Sequence, residues 1–306
     1  MDKVISVIIT TFNPDLDRLN QTLTALRNQT LPLHQWELIL VDNNSSPPVN
    51  IGLDWHPQSI SVVEQLQGLT YGRLKGFRLA GAELIVMVDD DNVLDADYLQ
   101  RAKNIMDQHL EIGAIGGKSI PIFESRPQDW LKNFYHNLAL RDLGNAVILN
   151  SWDQTYPASA PIGAGMVIRK EALKNYINEL NKPGSIIADR SGVMLGSSGD
   201  NDIILEILRS GWQTGYFPEL TLHHLIPASR TTTSYLSRLI NQSNRSWIAV
   251  LKKHHINPWP EIPAWSLPIR KAKAFITYKA WSNKVNYIRW RGACGSFDGL
   301  ARKDVI

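Results

Sequence analysis

Apolar residues fall along this chain in two alternating rhythms, short continuous runs and stripes spaced by three and four. Residues 4–10 (VISVIIT) form a β-branched run of the kind buried on both faces in the middle of a parallel sheet. Pro14 then opens a helix in which Leu16, Leu19, Leu23 and Leu26 share one buried stripe. A second strand is predicted over 36–41 and closed by Asp42, a third over 60–64, and a fourth over 83–88 closed by Asp89. Helices are predicted over 71–80 and 96–109. Residues 120–160, rich in Pro, Trp and Asn, read as loops and short elements crossing a cleft. A helix over 200–210, ended by Gly211, precedes a last strand over 216–225, and after Pro227 the pattern turns helical and basic.

Alternation of strand and helix implies right-handed crossovers and a mostly parallel sheet with helices on both faces, a Rossmann-like α/β fold. In such sheets ligands bind beyond the carboxyl ends of the strands, where Thr10, Thr11, Asp42 and the acids 89–91 all fall. The domain reading is an α/β domain over 1–228, with a nucleotide-binding half to about 118 and an acceptor-side half from 119, then a basic helical region over 229–306.

Composition narrows the class. A single cysteine, Cys294, excludes an intramolecular disulfide framework and favours a reducing, cytoplasmic compartment. The N-terminal apolar run of about seven residues is too short for a signal peptide, and no stretch reaches the roughly 20 residues of a membrane helix. There is no repeat or low-complexity tract, and nucleic acid is not an expected partner. Net charge is only +3, yet Lys and Arg concentrate over 229–303. There Trp281, Tyr287 and Trp290 interleave with Lys279, Lys284, Arg289 and Arg291. That composition suits peripheral contact with the inner face of a membrane, a partner or homodimer interface, or an ordinary helix with a packed aromatic face.

Three acidic spots carry the candidate chemistry. Asp89, Asp90 and Asp91 follow the strand ELIVMV directly, and three adjacent carboxylates repel one another unless something positive joins them. Mg or Mn prefers hard oxygen ligands shared with substrate phosphates, so Asp89 and Asp91 are candidate metal ligands; a solvated turn or the cap of the next helix is the alternative. Asp42 stands at the equivalent end of the second strand, where it either closes a turn or accepts a base N–H, with Thr10, Thr11 and Asn13 beside it to bind ribose or base. Arg73 and Lys75 could neutralise a diphosphate or simply line a basic helix. Asp200, in SSGDND, either caps the helix it opens or serves as a general base held at a helix N-terminus, whose partial positive charge favours an anion. His223 and His224 are structural, or a further metal or phosphate ligand.

Together these pieces resemble the inverting nucleotide-sugar glycosyltransferases of family 2, which have a GT-A fold, over roughly residues 3–230. The opening strand followed by Thr10, Thr11, Phe12 and Asn13 is similar to the family's first element, and VDNNS at 41–45 to its VDNxS. In GLTYGRLKG, Arg73 and Gly76 fit the family pattern, whereas Leu74 stands where Asn is usual. VDDDN resembles the metal-binding Asp-x-Asp, and SGDND resembles the helix bearing the catalytic acid, with Gly199 where the family has Glu. The resemblance implies a UDP-linked donor and a divalent ion, Mn or Mg, on Asp89 and Asp91 with His224 as a further ligand. It also implies nucleotide contacts from Thr10, Thr11, Asn13, Asp42, Arg73 and Asp90, and Asp200 as base. Residues 161–172 look like the stretch lining the donor and acceptor cleft, so Gly163, Ala164, Gly165 and, from the later motif, Asp202 are assigned there. The expected acceptor is a glycan, a lipid-linked molecule or a small molecule. Two rivals remain: a non-catalytic sugar-nucleotide or glycan binding relative, suggested by Leu74 and Gly199, and a sugar-phosphate nucleotidyltransferase. The second needs a Gly-rich basic loop after strand one where this chain has TTFNP, and the absence of GxGxxG likewise disfavours a dinucleotide-dependent dehydrogenase.

Overall fold

In the computed structural model, which describes residues 3–181, 195–196 and 198–301, the N-terminal apolar run becomes β1 (Ile5–Thr11) in a mixed sheet of nine strands. It pairs in parallel with β2 (Trp36–Asp42) on one side and β4 (Leu84–Asp89) on the other, and β3 (Ser59–Val63) pairs in parallel with the outer side of β2. Beyond β4 come β8 (Val167–Arg169), β6 (Ile112–Phe123), β9 (Gln213–Ile226) and β5 (Asn92–Leu94), with β7 (Ile148–Asn150) also on β9. The pairings of β4 with β8, β6 with β8, and β5 and β7 with β9 are antiparallel.

Both faces of β1 are covered, as its unbroken apolar run requires. Ile5, Val7 and Ile9 join one cluster with Leu19, Leu23 and Leu26 of α1 (Leu16–Arg27) and with Leu99, Ala102, Ile105 and Met106 of α3 (Tyr98–Gln108). Ile8 and Thr10 point the other way, onto α2 (Leu69–Leu79): a Cβ on Gly76 would lie 2.5 Å from Ile8 Cγ2, and one on Gly72 would run into Thr10 Cγ2. Glycine at these two positions lets α2 rest directly on the strand.

Some expectations need correction. Leu16 does not share the buried stripe of α1; it is 53% exposed in the first turn, which Asp15 caps through the N–H groups of Asp17 and Arg18 before the helix reaches its cluster. The acids 89–91 do not cap the next helix, because α3 begins only at Tyr98. A twelve-residue strand, β6, starts at Ile112 and runs into the stretch read as loops from 120. Its glycines hid it from propensity, and they serve close packing: a Cβ on Gly113 would stand 2.7 Å from Ile207 Cγ2 and 2.8 Å from Trp212 Cβ. Within 120–160 the chain forms 3-10 turns over Asp129–Leu138 and the short β7.

The chain divides into two compact units. The first, from segments 1–122, 139–179 and 203–225, holds the sheet and α1–α3. The second, from segments 123–138, 180–202 and 226–306, holds α6 (Thr233–Lys253), α7 (Leu267–Thr277) and α8 (Lys284–Ala301). Two further helices, α4 (Lys174–Leu180) and α5 (Gly199–Arg209), cross from one segment set to the other. In the second unit α8 meets α6 along Gly292, Gly295 and Gly299, spaced three and four apart. A Cβ on Gly295 would overlap the carbonyl oxygen of Asn241, and one on Gly299 would sit 2.8 Å from Ile248 Cβ.

At the opposite end of β2 from Asp42, His56 is enclosed by Trp36 and Trp55, 4.1 Å and 5.4 Å away by ring centroids. Burial pushes its pKa down to about 4, against the pull of Glu37, and its Nδ1 already accepts the Gln58 N–H, a bond that protonation there would break. The folded state therefore keeps His56 neutral while the unfolded chain takes up a proton below about 6.5. Stability contributed above that pH should fall as pH drops from about 6.5 to about 4, by up to about 3 kcal/mol for this group. Urea midpoints across that range, compared with His56→Gln, check it: the variant should lose most of this part of the slope.

Candidate functional site

The register of the parallel half gathers the first group of predicted residues. Thr11 lies beside Asp42 across β1 and β2, and Thr10 lies beside Asp89 across β1 and β4. Parallel strands are about 4.8 Å apart, so three carboxyl strand ends present their polar side chains within one small area.

Several side chains of this area are already held. Asp42 is buried and accepts the Ser45 N–H on one carboxylate oxygen and the Val49 N–H on the other, both at 2.9 Å, which fixes the turn after β2. Asn13 ties the turn after β1 to the same place: its N–H donates to Ser45 Oγ at 2.8 Å, and its Oδ1 accepts the Ser46 N–H at 2.9 Å. Asn43 links β2 onward to α2, donating to the Leu66 carbonyl and accepting the Gly68 N–H at 2.7 Å each. Ser45 and Asn43 were not singled out from the sequence, although an Asn- and Ser-rich turn after a strand is the signal that could have found them.

Asp90 and Asp91 form a two-residue turn between β4 and β5. Thr11 Oγ1 donates a hydrogen bond to Asp90. Asp91 is buried, accepts a hydrogen bond from Asn92 Nδ2 at 3.1 Å on Oδ1, and has His224 Nε2 at 3.3 Å from the same oxygen. The pairing of Asn92 with His224 across β5 and β9 brings that imidazole in. His223, its neighbour, faces Asp95 at 3.6 Å instead. Among the described residues there is no group of three or more His, Cys, Asp or Glu that could hold a metal ion. Asp91 and His224, 3.3 Å apart, would supply only part of the ligand set of an ion such as Mn or Mg, the rest coming from a diphosphate.

Arg73 is buried in the second turn of α2, directly after the glycine that touches Thr10. Leu74, where the family pattern has Asn, is buried too, so here the position is used for packing. The 163–165 turn is packed against the sheet: the Gly165 N–H donates to the Met87 carbonyl at 2.9 Å and its carbonyl accepts from the Tyr98 hydroxyl at 2.6 Å, while Ala164 is part of the core. Gly165 has φ +73, and a Cβ there would meet Leu222 Cδ2 at 2.5 Å, so only glycine suits it.

Asp200 and Asp202 belong to the second unit. Ser197, of the same motif, lies outside the described residues. Asp200 is half-buried and is the second residue of α5, not its cap; the first backbone bond of that helix runs from Asp202 N–H to the Ser198 carbonyl. Asp200 Oδ1 accepts the Asn201 N–H at 3.0 Å. Asp202 is buried, with Lys253 Nζ donating to one oxygen at 2.8 Å and His254 Nε2 at 2.7 Å from the other. These two partners at the end of α6 were not predicted. Asp202→Ala should lower stability by on the order of 3 kcal/mol, read as a shift in urea midpoint, because it strips the buried partner from both groups.

A sequence model of glycosyl transferase family 2 matches residues 6–177, more than half of the chain. Among curated proteins the chain is 28% identical over 144 residues to the poly(ribitol-phosphate) beta-N-acetylglucosaminyltransferase TarP of Staphylococcus aureus, covering 40% of this chain and 41% of that one. It is 24% identical over 137 residues to a glucosyl-dolichyl phosphate glucuronosyltransferase of Haloferax volcanii, covering 43% of each. With the dTDP-rhamnosyl transferase RfbF of Shigella flexneri it shares 24% over 181 residues, covering 57% of this chain and 56% of that one. The chain thus spans about half the length of the curated relatives it matches, or less. Among solved structures, S. aureus TarS 1–349 in complex with UDP-GlcNAc superposes with a TM-score of 0.54 at 13% identity, covering 97% of this chain and 90% of that one. That likeness concerns the fold. The strand-end acids, the order of elements and the matched span agree, and the chain belongs to glycosyl transferase family 2.

Proposed function

We propose that this chain is a glycosyltransferase that moves a sugar from a UDP-linked donor to an acceptor hydroxyl, with inversion at the anomeric carbon, in building a polysaccharide or glycoconjugate. The observation that carries the reading is the seating of Thr10, Thr11, Asp42 and the acids 89–91 at adjoining carboxyl ends of three parallel strands in a chain of this family. TarS, whose fold is similar, was solved with UDP and with UDP-GlcNAc, which supports UDP as the nucleotide.

In this reading the base lies against the turns after β1 and β2. Each oxygen of Asp42 accepts one N–H and keeps a lone pair for the ring N–H, while Thr10, Thr11 and Asn13 serve the ribose or base. Arg73 and Asp90 complete the nucleotide contacts. Asp89, Asp91 and His224 would hold a divalent ion, Mn or Mg, which when bound supplies Lewis-acid neutralisation of the charge that gathers on the departing diphosphate. The acceptor oxygen attacks the anomeric carbon, the bond from that carbon to the phosphate oxygen breaks, UDP leaves, and Asp200 takes the hydroxyl proton. Gly163, Ala164 and Gly165 shape the wall of the donor pocket, and Asp202 steadies the first turn of α5 on which Asp200 stands.

A panel of UDP-, GDP- and dTDP-sugars with and without Mn tests this. A UDP-sugar near a hundred times its Kd should stabilise the protein by about 2.7 kcal/mol, seen as a rise in Tm, and should release UDP slowly without acceptor. No stabilisation and no nucleotide release with any donor would overturn the proposal.

A further inference from the structure

The connection into α7 and the helix itself carry an apolar stripe that the rest of the second unit leaves uncovered. Trp265, Ile269, Ala272 and Ile276 are spaced four, three and four apart, so they fall on one side of the helix. Trp265 is 75% exposed, Ile269 65% and Ile276 66%. The other side is fixed to α8: Ala274 is buried, Phe275 meets the Trp290 ring edge-on at 5.1 Å, Trp290 Nε1 donates to the Lys271 carbonyl at 3.0 Å, and Lys271 pairs with Asp298 at 2.7 Å. The outward direction of the stripe is therefore set by packing. Just past the helix, Trp281 is 62% exposed beside Phe275.

Charge identifies what covers it. Residues 264–291 contain seven Lys and Arg and no Asp or Glu. Among the described residues no carboxylate pairs with Lys273 or Lys279, which are exposed beside and just beyond the stripe. A second copy of this face would repel the first, whereas an anionic surface into which side chains can sink complements both properties. No described helix is long and apolar enough to cross a membrane, so the contact lies in the plane of the surface.

We propose that this face of α7 docks the protein on the surface of an anionic lipid bilayer, with Trp265, Ile269 and Ile276 in the headgroup region and Arg270, Lys273 and Lys279 against lipid phosphates. The test is flotation of the full chain with vesicles of phosphatidylcholine alone or mixed with phosphatidylglycerol. Binding to the mixed vesicles only, weakened by salt, is expected, and Ile269→Glu with Ile276→Glu should lower the partition coefficient by about tenfold or more. Circular dichroism of that variant should match the parent. Should the variant not fold, quenching of the parent's tryptophan emission by brominated lipid, diminished in Trp265→Phe, reads the same contact. Failure of the parent to bind mixed vesicles, equal binding by the folded double variant, or quenching unaffected by Trp265→Phe would overturn the proposal. So would a stripe-dependent dimer in sedimentation without vesicle binding, which would show a second copy on this face.

Discussion

Asp200→Asn is expected to lower kcat by about a hundred- to ten-thousandfold while UDP affinity stays essentially unchanged, because what disappears is the acceptor of one proton in the transition state. The substitution is nearly isosteric. Asn can still accept the Asn201 N–H through its side-chain oxygen, so the first turn of α5 keeps its local bond. Asp202, two residues on, continues to hold the turn through Lys253 and His254. Single-turnover kinetics with a saturating UDP-sugar and acceptor separate the chemical step from binding. An unchanged rate would remove Asp200 from the mechanism.

Asp91→Ala should give the opposite pattern. Its main-chain carbonyl still accepts the Leu225 N–H at 2.9 Å, so the turn between β4 and β5 keeps its link to β9. The side chain is what Asn92 and His224 approach, and it is one of the two carboxylates proposed for the ion. Removing even an outer partner of a metal ligand costs about 10- to 100-fold in affinity, and loss of the ligand itself should cost at least about a hundredfold. Calorimetry with UDP and Mn reads this directly, with Asp200→Asn as the variant that retains binding. Undiminished Mn-dependent UDP binding by Asp91→Ala would move the ion elsewhere.

The parallel half of the sheet was legible because strands buried on both faces must be apolar without interruption, and β1, β2 and β4 each end in the polar residue that sequence marks as the site. In the antiparallel half β9 was read as the last strand, but β6 was not. Gly113, Gly116 and Gly117 of β6 are there for the side chains and main chain that press on them, and that demand depends on contacts such as Ile207 and Trp212, distant in sequence. The same limit explains Asp202: local sequence shows an acid in a helix's first turn, and only folding brings Lys253 and His254 from fifty residues away onto its two oxygens. Asp42 shows a third case. Its identity was readable, but its bonds to Ser45 and Val49 depend on how the following turn curls back.

The glycine seam between α6 and α8 makes those helices thermodynamically interdependent. Because no side chain separates the backbones at Gly295, neither helix can keep its native neighbours once the other frays, and Ile248 and Leu251 of α6 lose Leu300 when α8 is cut away. Shortening the protein from its C-terminus should therefore produce an abrupt loss of folding in the second unit rather than a graded one, well before any strand is reached.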